Sequence, residues 1–406
     1  MLTRARLWIA ALVLLQLAGL GYLLLRDPDE PLAPRTQEPV RPVAVARLDA
    51  GETAGLGWDP GRLDAVFAYA ATLSTDTLMI VTDRKAVATL GDATRSYDVY
   101  SVRKAILGAL IGQHVGPGER QIPLDATLAD LGIDDSPGPL TPLNRTATIL
   151  DLIRSVSGIN HSAAAENPWL TADRDRRLGD RSNEPGKIWT YNSWDYNALT
   201  TILETRAGQR IADLFATGIA GPTGMTDYTA GSVRYVAAPE LSRHKAAIFT
   251  MSGRDLARFG QLYLDRGALD GVPILPAGWI DRITADSVLT FMPGLARRQG
   301  YLWWIPDPEL GLPDGTFWAW GLANQAVFVI PGWRTVVVHQ SDTTEAVRRG
   351  RELMRTQGYS YKQAFEEMMT TCRDASNQSS EFCIEHRPGI IEELQHLMTL
   401  IVKARL

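Results

Sequence analysis

Two strand pairs near opposite ends of the chain constrain its fold more than any other feature. Thr77 to Val81 and Ala86 to Leu90 are short apolar runs around Thr82-Asp83-Arg84-Lys85, the pattern of a β-hairpin. Gln325 to Ile330 and Trp333 to Gln340 flank Pro331-Gly332 and make a second hairpin. Between them the periodicity becomes helical. Ser101 to His114 sets Val102, Ala105, Ile106, Ala109 and Leu110 at helical spacing, with Ser101 placed to cap the first turn. Ser193 to Arg206 ends near Gly208, Ser252 to Arg266 ends at Gly267, and Ile390 to Val402 returns as an apolar-periodic helix able to pack on a sheet. Residues 115 to 190 hold many Pro, Gly, Asp and Asn and only short helical segments such as Thr148 to Val156, a loop-heavy insertion of the kind that carries functional surfaces. Strands that open and close a domain around helices imply an α/β (α+β) fold. Its antiparallel sheet is built from both chain ends and flanked by helices, with a helical and loop subdomain beside it.

The N-terminus is of another kind. Residues 7 to 25 form an apolar run broken only by Gln16, and about 19 helical residues span roughly 28 Å, close to a hydrocarbon core. No Ala-x-Ala site or lipidated cysteine follows, so residues 1–26 read as an uncleaved membrane anchor rather than a cleaved signal sequence. The expected fold therefore includes an N-terminal transmembrane helix, placing the protein at the inner membrane with its catalytic domain facing the periplasm or cell exterior. Residues 27–48 are Pro-rich with alternating charges and suit an extended linker, leaving 49–406 as the folded domain with a polar insertion at 346–390. Cys372 and Cys383 are the two cysteines; in an oxidising compartment they are expected to form a short-loop disulfide.

Charge excludes some functions. A net charge of -5 with scattered arginines offers no electrostatic footprint for nucleic acid. The six histidines never pair at metal-ligand spacing and two cysteines cannot complete a zinc site, so neither metal nor cofactor is expected. Metalloprotease, nucleophile-elbow, Walker and dinucleotide-binding motifs are all absent.

Three short stretches can carry chemistry. Ser101-Val102-Arg103-Lys104 puts a lysine amine within reach of a serine hydroxyl, because positions i and i+3 share a helix face. Near a helix N-terminus, or beside another cation, such a lysine is pushed toward the free amine that a general base requires. Tyr191-Asn192-Ser193 precedes an amphipathic helix and offers a phenol and a hydroxyl for proton relay. Ala319-Trp320-Gly321-Leu322 contains a glycine, Gly321, that lets a strand approach a ligand closely. Each has a plain structural reading when taken alone: a capping serine with an exposed lysine, an aromatic packing residue, and an edge strand with aromatics.

Their order changes the weighing. Ser-x-x-Lys after the first hairpin, Tyr-x-Ser before a mid-chain helix and a glycine-bearing strand before the last hairpin resemble the serine β-lactamase and penicillin-binding fold. Within it the chain resembles the class C β-lactamase-related serine hydrolases, and most of all the branch containing 6-aminohexanoate-dimer hydrolase. The likeness runs over roughly residues 60 to 345, through SYDVYSVRKAILGALIG, YNSWDYNALTTILE, MSGRDLARFGQLYLDRG, YLWWIP and AWGLANQAVFVIPGWRTVVVHQ. It implies Ser101 as the acylated nucleophile, Lys104 as its proton acceptor, Tyr191 as the phenol that shuttles protons with Lys104, and the backbone N–H groups of Ser101 and Leu322 as the oxyanion hole. Two departures stand out. The usual Lys-Thr-Gly or His-Thr-Gly reads Ala319-Trp320-Gly321, so the cation is missing, and Ser193 stands where Tyr-x-Asn has its amide. Ser193, Trp320 and Gly321 are then the substrate-binding candidates.

The expected function is hydrolysis of a small-molecule ester or amide through an acyl-enzyme, with poor β-lactam turnover. The alternative is a catalytically weak penicillin-binding-like module that holds a cell-wall or peptide ligand. Trp169, Trp194, Trp303, Trp304, Trp318 and Trp320 are candidates for the pocket wall, core packing being the alternative for each.

Overall fold

The computed structural model describes residues 45–406 except 74, 117, 167, 181–182, 361–362, 365–366 and 368–390. A nine-stranded sheet dominates. Its strands in chain order are β1 (Val45–Arg47), β2 (Thr77–Thr82), β3 (Lys85–Gly91), β4 (Val288–Leu289), β5 (Arg298–Gly300), β6 (Trp303–Ile305), β7 (Phe317–Gly321), β8 (Gln325–Ile330) and β9 (Thr335–Gln340). Across the sheet the order is β1-β3-β2-β9-β8-β7-β6-β5-β4, antiparallel throughout. The two hairpins thus meet at the centre, with Val81 opposite Val336 and Met79 opposite Val338. Every residue of β2, β8 and β9 is buried, which explains why these runs are apolar without alternation: both faces of the sheet are covered.

Turn chemistry sets the two hairpins. Asp83 and Arg84 adopt left-handed φ angles of 49° and 64°, the conformation whose twist suits a two-residue hairpin loop. Without glycine there the strain needs support: the Asp83 N–H donates to Arg334 O at 3.0 Å, and Arg84 pairs with Asp265 and Asp270, each at 2.8 Å. In the second hairpin, Pro331–Trp333 forms a 3₁₀ turn and Arg334 is left-handed, so the strand starts at Thr335 rather than at Trp333.

The helices that matter here are α1 (Pro60–Ala71), α2 (Arg103–His114), α3 (Ile149–Ile153), α4 (Pro168–Leu178), α5 (Ser193–Ala207), α6 (Gly253–Leu264) and α7 (Ile391–Ala404). α6 lies against β8 and β9; a Cβ at Gly260 would sit 2.6 Å from Val336, so glycine sets the helix-to-sheet distance. α7 packs on α1, and the Asp59 N–H donates to Ala404 O at 2.9 Å. α2 is buried from Arg103 through Gly112 and packs on α5. A second sheet, ordered Ser96–Asp98, Ser242–Ser252, Val233–Ala238, leads the chain into α2. Thr148 caps a helix shorter than its periodicity suggests, because Ser155 turns left-handed at φ 56°.

The membrane-spanning helix expected over residues 7–25 has to be corrected. Among the described residues no helix is long and apolar enough to cross a membrane; α5, at 15 residues, falls short of the about 20 needed. Residues 7–25 lie outside the described residues, and the fold class is the sheet-and-helix domain without that element. Cys372 and Cys383 also lie outside them.

Candidate active site

Ser101 sits in a 3₁₀ turn, Tyr100–Val102, that runs directly into α2. It does not cap the helix: the capping position is Val102 and no side chain caps it. The reason lies one residue upstream. Tyr100 is left-handed at φ 45°, an unfavourable state for an aromatic residue, and its hydroxyl is held 2.7 Å from Thr343 Oγ1. The Ser101 side chain meets Lys104 instead, Nζ donating to Oγ at 2.7 Å. The same separation serves the reverse direction, hydroxyl to amine, once Lys104 loses a proton.

Everything around Lys104 favours that loss except three groups. Lys104 is only 5% exposed, and burial holds its amine well below the usual lysine range; the neighbouring guanidinium of Arg103 pushes the same way, and the Glu166 carboxylate opposes. Nζ also lies 4.6 Å from the ring centre of Tyr191 and 4.8 Å from that of Tyr196, two aromatic faces that stabilise the ammonium state. Burial raises the Tyr191 phenol to about 12, against a hydrogen bond with the Ser101 side chain and the positive field of Arg103. Tyr191 is therefore a protonated phenol at neutral pH. Burial pushes Tyr196 higher, and its hydroxyl is 2.7 Å from Ser155 Oγ.

The second motif is rigid. Asn192 caps α5 by accepting from the Trp194 N–H and donates to Ile159 O at 2.8 Å and Asp195 Oδ1 at 3.0 Å. Its amide is consumed in structure, and the buried Ser193 opens the helix. The third motif closes the site from β7. A Cβ at Gly321 would lie 2.4 Å from Val99 O and 3.1 Å from Ser101 N, so only glycine allows β7 to come this close to the nucleophile turn. Leu322 then opens a 3₁₀ turn, Leu322–Asn324, in which Ala323 and Asn324 are left-handed at φ 58° and 57°. Early amides of such turns lack an acceptor within the turn. The turn is tied down by His339, whose Nδ1–H donates to Asn324 O at 2.8 Å.

The structure sets Lys104 against Ser101 and the Tyr191 ring, and Gly321 against the backbone of Ser101, with Leu322 next in the chain. The tryptophans divide. Trp194 donates to Asp135 Oδ2 at 2.5 Å in the core, Trp303 is fully buried beside Tyr263, and Trp318 stacks on Phe328. Trp304 stacks on Tyr191 at 5.7 Å, and the half-buried Trp320 meets Trp304 edge-on at 6.3 Å. The side chain of Trp169 lies outside the described residues. Four neighbours had not been singled out: Arg103, Tyr196, Glu166 and Trp189, which stands edge-on to Trp304 at 6.0 Å and donates to Gln299 Oε1 at 2.7 Å. Arg103 carried a signal, as a second basic residue in a helix otherwise apolar on all sides. Glu166 is 4% exposed at its side chain and paired with Arg174.

A family model described as Beta-lactamase matches residues 63–357. Similar solved structures include a Bacillus anthracis protein assigned as a 6-aminohexanoate-dimer hydrolase, at 22% identity over 66% of this chain and 73% of that chain, with a TM-score of 0.49. An octameric penicillin-binding protein homologue from Pyrococcus abyssi matches at 16% identity over 81% of this chain and 82% of that one, TM-score 0.50. A family VIII carboxylesterase matches at 16% identity over 74% and 94%, TM-score 0.50. At these identities the likeness is one of fold. Among curated proteins none matches the chain.

Proposed function

The chain belongs to the beta-lactamase family of serine hydrolases, and from that premise we propose that it acylates Ser101 with small, uncharged ester or amide substrates and passes the acyl group to water. Ser101 Oγ–H gives its proton to Lys104 Nζ as the bond from Oγ to the substrate carbonyl carbon forms. The tetrahedral oxyanion faces the N–H groups of Ser101 and Leu322, which are fixed before the substrate arrives and so lose little in reorganising. Lys104 returns the proton through the Tyr191 phenol to the leaving alkoxide or amine as the C–O or C–N bond breaks. Water repeats the sequence: it loses a proton to the same pair, its oxygen bonds to the acyl carbon, and Ser101 departs with that proton.

One observation carries this reading: a buried lysine amine, depressed by its surroundings, 2.7 Å from a hydroxyl at the head of a helix. The substrate class follows from the third motif. Ala319 brings no charge to greet a carboxylate, while Trp304 and Trp320 offer aromatic area beside Tyr191. A fluorophosphonate probe should label the wild type at Ser101 and leave Ser101→Ala unlabelled, and p-nitrophenyl esters should be hydrolysed only by the wild type. A protein that binds ligands without acylation at Ser101 would overturn the proposal in favour of the binding module.

A further inference from the structure

Arg103 is the most exceptional charge in the molecule. Its side chain is buried, at 5% exposure, on the first turn of α2 next to Lys104 in sequence. A guanidinium has five N–H donors and cannot be deprotonated near neutral pH. Among the described residues its one side-chain hydrogen bond runs from Nη2 to Asn197 Oδ1 at 3.1 Å, an oxygen of a neutral amide. Asn197 is itself fully buried, and its Nδ2 is committed to Ala164 O at 3.0 Å, so the amide oxygen is the end that must face the guanidinium. Among the described residues Arg103 makes no ion pair. Arg174, the other deeply buried arginine among the described residues, is by contrast paired with Glu166 and Asp175.

An unpaired buried cation is costly, and here it stands beside a buried amine. We propose that Arg103 is a positioning residue in the electrostatic sense, a permanent positive charge that keeps Lys104 Nζ in its free-amine form and so fit to accept the Ser101 proton. This rests on Lys104 being the base, as argued above. The surroundings agree. Two positive charges on successive buried residues disfavour each other, and the charge on Arg103 is the one that persists, since burial, opposed by Tyr191 and Tyr196, lowers it only to about 10. The groups facing the pair are the Tyr191 and Tyr196 phenols from the α5 side, both raised and hence neutral, and Glu166 from the loop before α4, whose carboxylate pulls Lys104 the other way. Asn197 screens no charge.

The sign of the effect is definite. Activity requires the free amine, so kcat/KM rises with pH through the Lys104 titration, and removing Arg103 must move that acid limb upward. In profiles of p-nitrophenyl butyrate hydrolysis from pH 5 to 9, Arg103→Met should shift the limb up by about one pH unit or more, with about tenfold lower kcat/KM on the acid side and recovery at high pH. Arg103→Lys should lie between the two. Asn197→Asp leaves Arg103 in place but gives it a carboxylate partner, and should move the limb in the same direction; it also keeps the test decisive if Arg103→Met fails to fold. A limb that stays at the wild-type pH in Asn197→Asp, or in a folded Arg103→Met whose kcat falls equally at every pH, would overturn the proposal. A wild type that neither hydrolyses esters nor labels at Ser101 would instead sink the proposed function, so the two failures are distinct.

Discussion

His339 should make the fold, and with it the oxyanion turn, sensitive to acid. The ring is fully buried on β9; Nδ1–H donates to Asn324 O, and Nε2 is 2.8 Å from Thr75 Oγ1. Its partners are a carbonyl and a hydroxyl, with no carboxylate to stabilise an imidazolium, and burial drives the ring from 6.5 down to about 4. The unfolded chain therefore binds this proton more readily than the folded one between those values. Stability from His339 is fully present above about pH 6.5 and is lost as pH falls toward 4. At about 1.4 kcal/mol for each tenfold change in proton affinity, the loss approaches about 3 kcal/mol. Urea unfolding of the wild type and His339→Gln at pH 7.5 and pH 4.5 isolates the effect, since carboxylates that titrate in this range are common to both. The variant should start less stable and then lose about 2–3 kcal/mol less than the wild type on acidification. Equal losses in the two proteins would refute the reasoning.

Other substitutions probe the site from different sides. Lys104→Met removes a buried amine at nearly constant volume and should abolish hydrolysis while raising stability by about 1–2 kcal/mol at pH 7. That gap, followed by thermal melting, should narrow as pH rises toward the ordinary lysine value of 10.5, because the unfolded lysine then also loses its proton. Gly321→Ala forces a Cβ onto Val99 O and should lower kcat by about 10²–10³-fold with a smaller change in KM, as expected when an oxyanion donor is displaced. Tyr191→Phe should cost about 10²–10⁴-fold in kcat/KM and leave labelling of Ser101 by fluorophosphonate slowed but detectable. Nitrocefin should be turned over poorly compared with p-nitrophenyl esters; efficient nitrocefin hydrolysis would contradict the substrate class.

Much of the fold could be read from the sequence because the central strands are buried on both faces and their turns carry recognisable residues. Asp83-Arg84 and Pro331-Gly332 mark the hairpins, and α2, α5 and α6 lie within a residue or two of their apolar periodicity. The family was legible from Ser101-x-x-Lys104, Tyr191-x-Ser193 and the Gly321 strand taken as an ordered set, since none of the three is persuasive alone. What stayed hidden depends on backbone states and long-range neighbours. Ser101 before an apolar run looks like a cap, and only the left-handed Tyr100 turns its hydroxyl toward Lys104. Trp189 joins the site through a ring contact with Trp304 and Tyr196 through one with Tyr191 from the first turn of α5, and no spacing rule connects either to Ser101. Trp303 and Trp304 are adjacent on β6, where alternation sends Trp304 to the Tyr191 face and Trp303 to the Tyr263 face; composition could not tell them apart.

The architecture that brings the chain ends together also builds the site. Ser101 and Lys104 come from the head of α2, after the first hairpin, while the Leu322–Asn324 turn comes from the junction of β7 and β8, just before the second. They touch through Gly321 because β2 and β9 pair at the centre of the sheet and fix the two hairpins in register. Charge is divided along the same line. The basic side chains Arg103 and Lys104 both belong to α2, whereas β7 contributes the uncharged Ala319 and Trp320. A substrate carboxylate would have to shed water on the β7 side without gaining an ion pair, at a net cost in free energy. A neutral acyl group pays no such penalty and gains aromatic contact with Trp304 and Trp320. On the proposed function, the third-motif departure therefore bears on substrate polarity and leaves the Ser101–Lys104 pair on the helix intact.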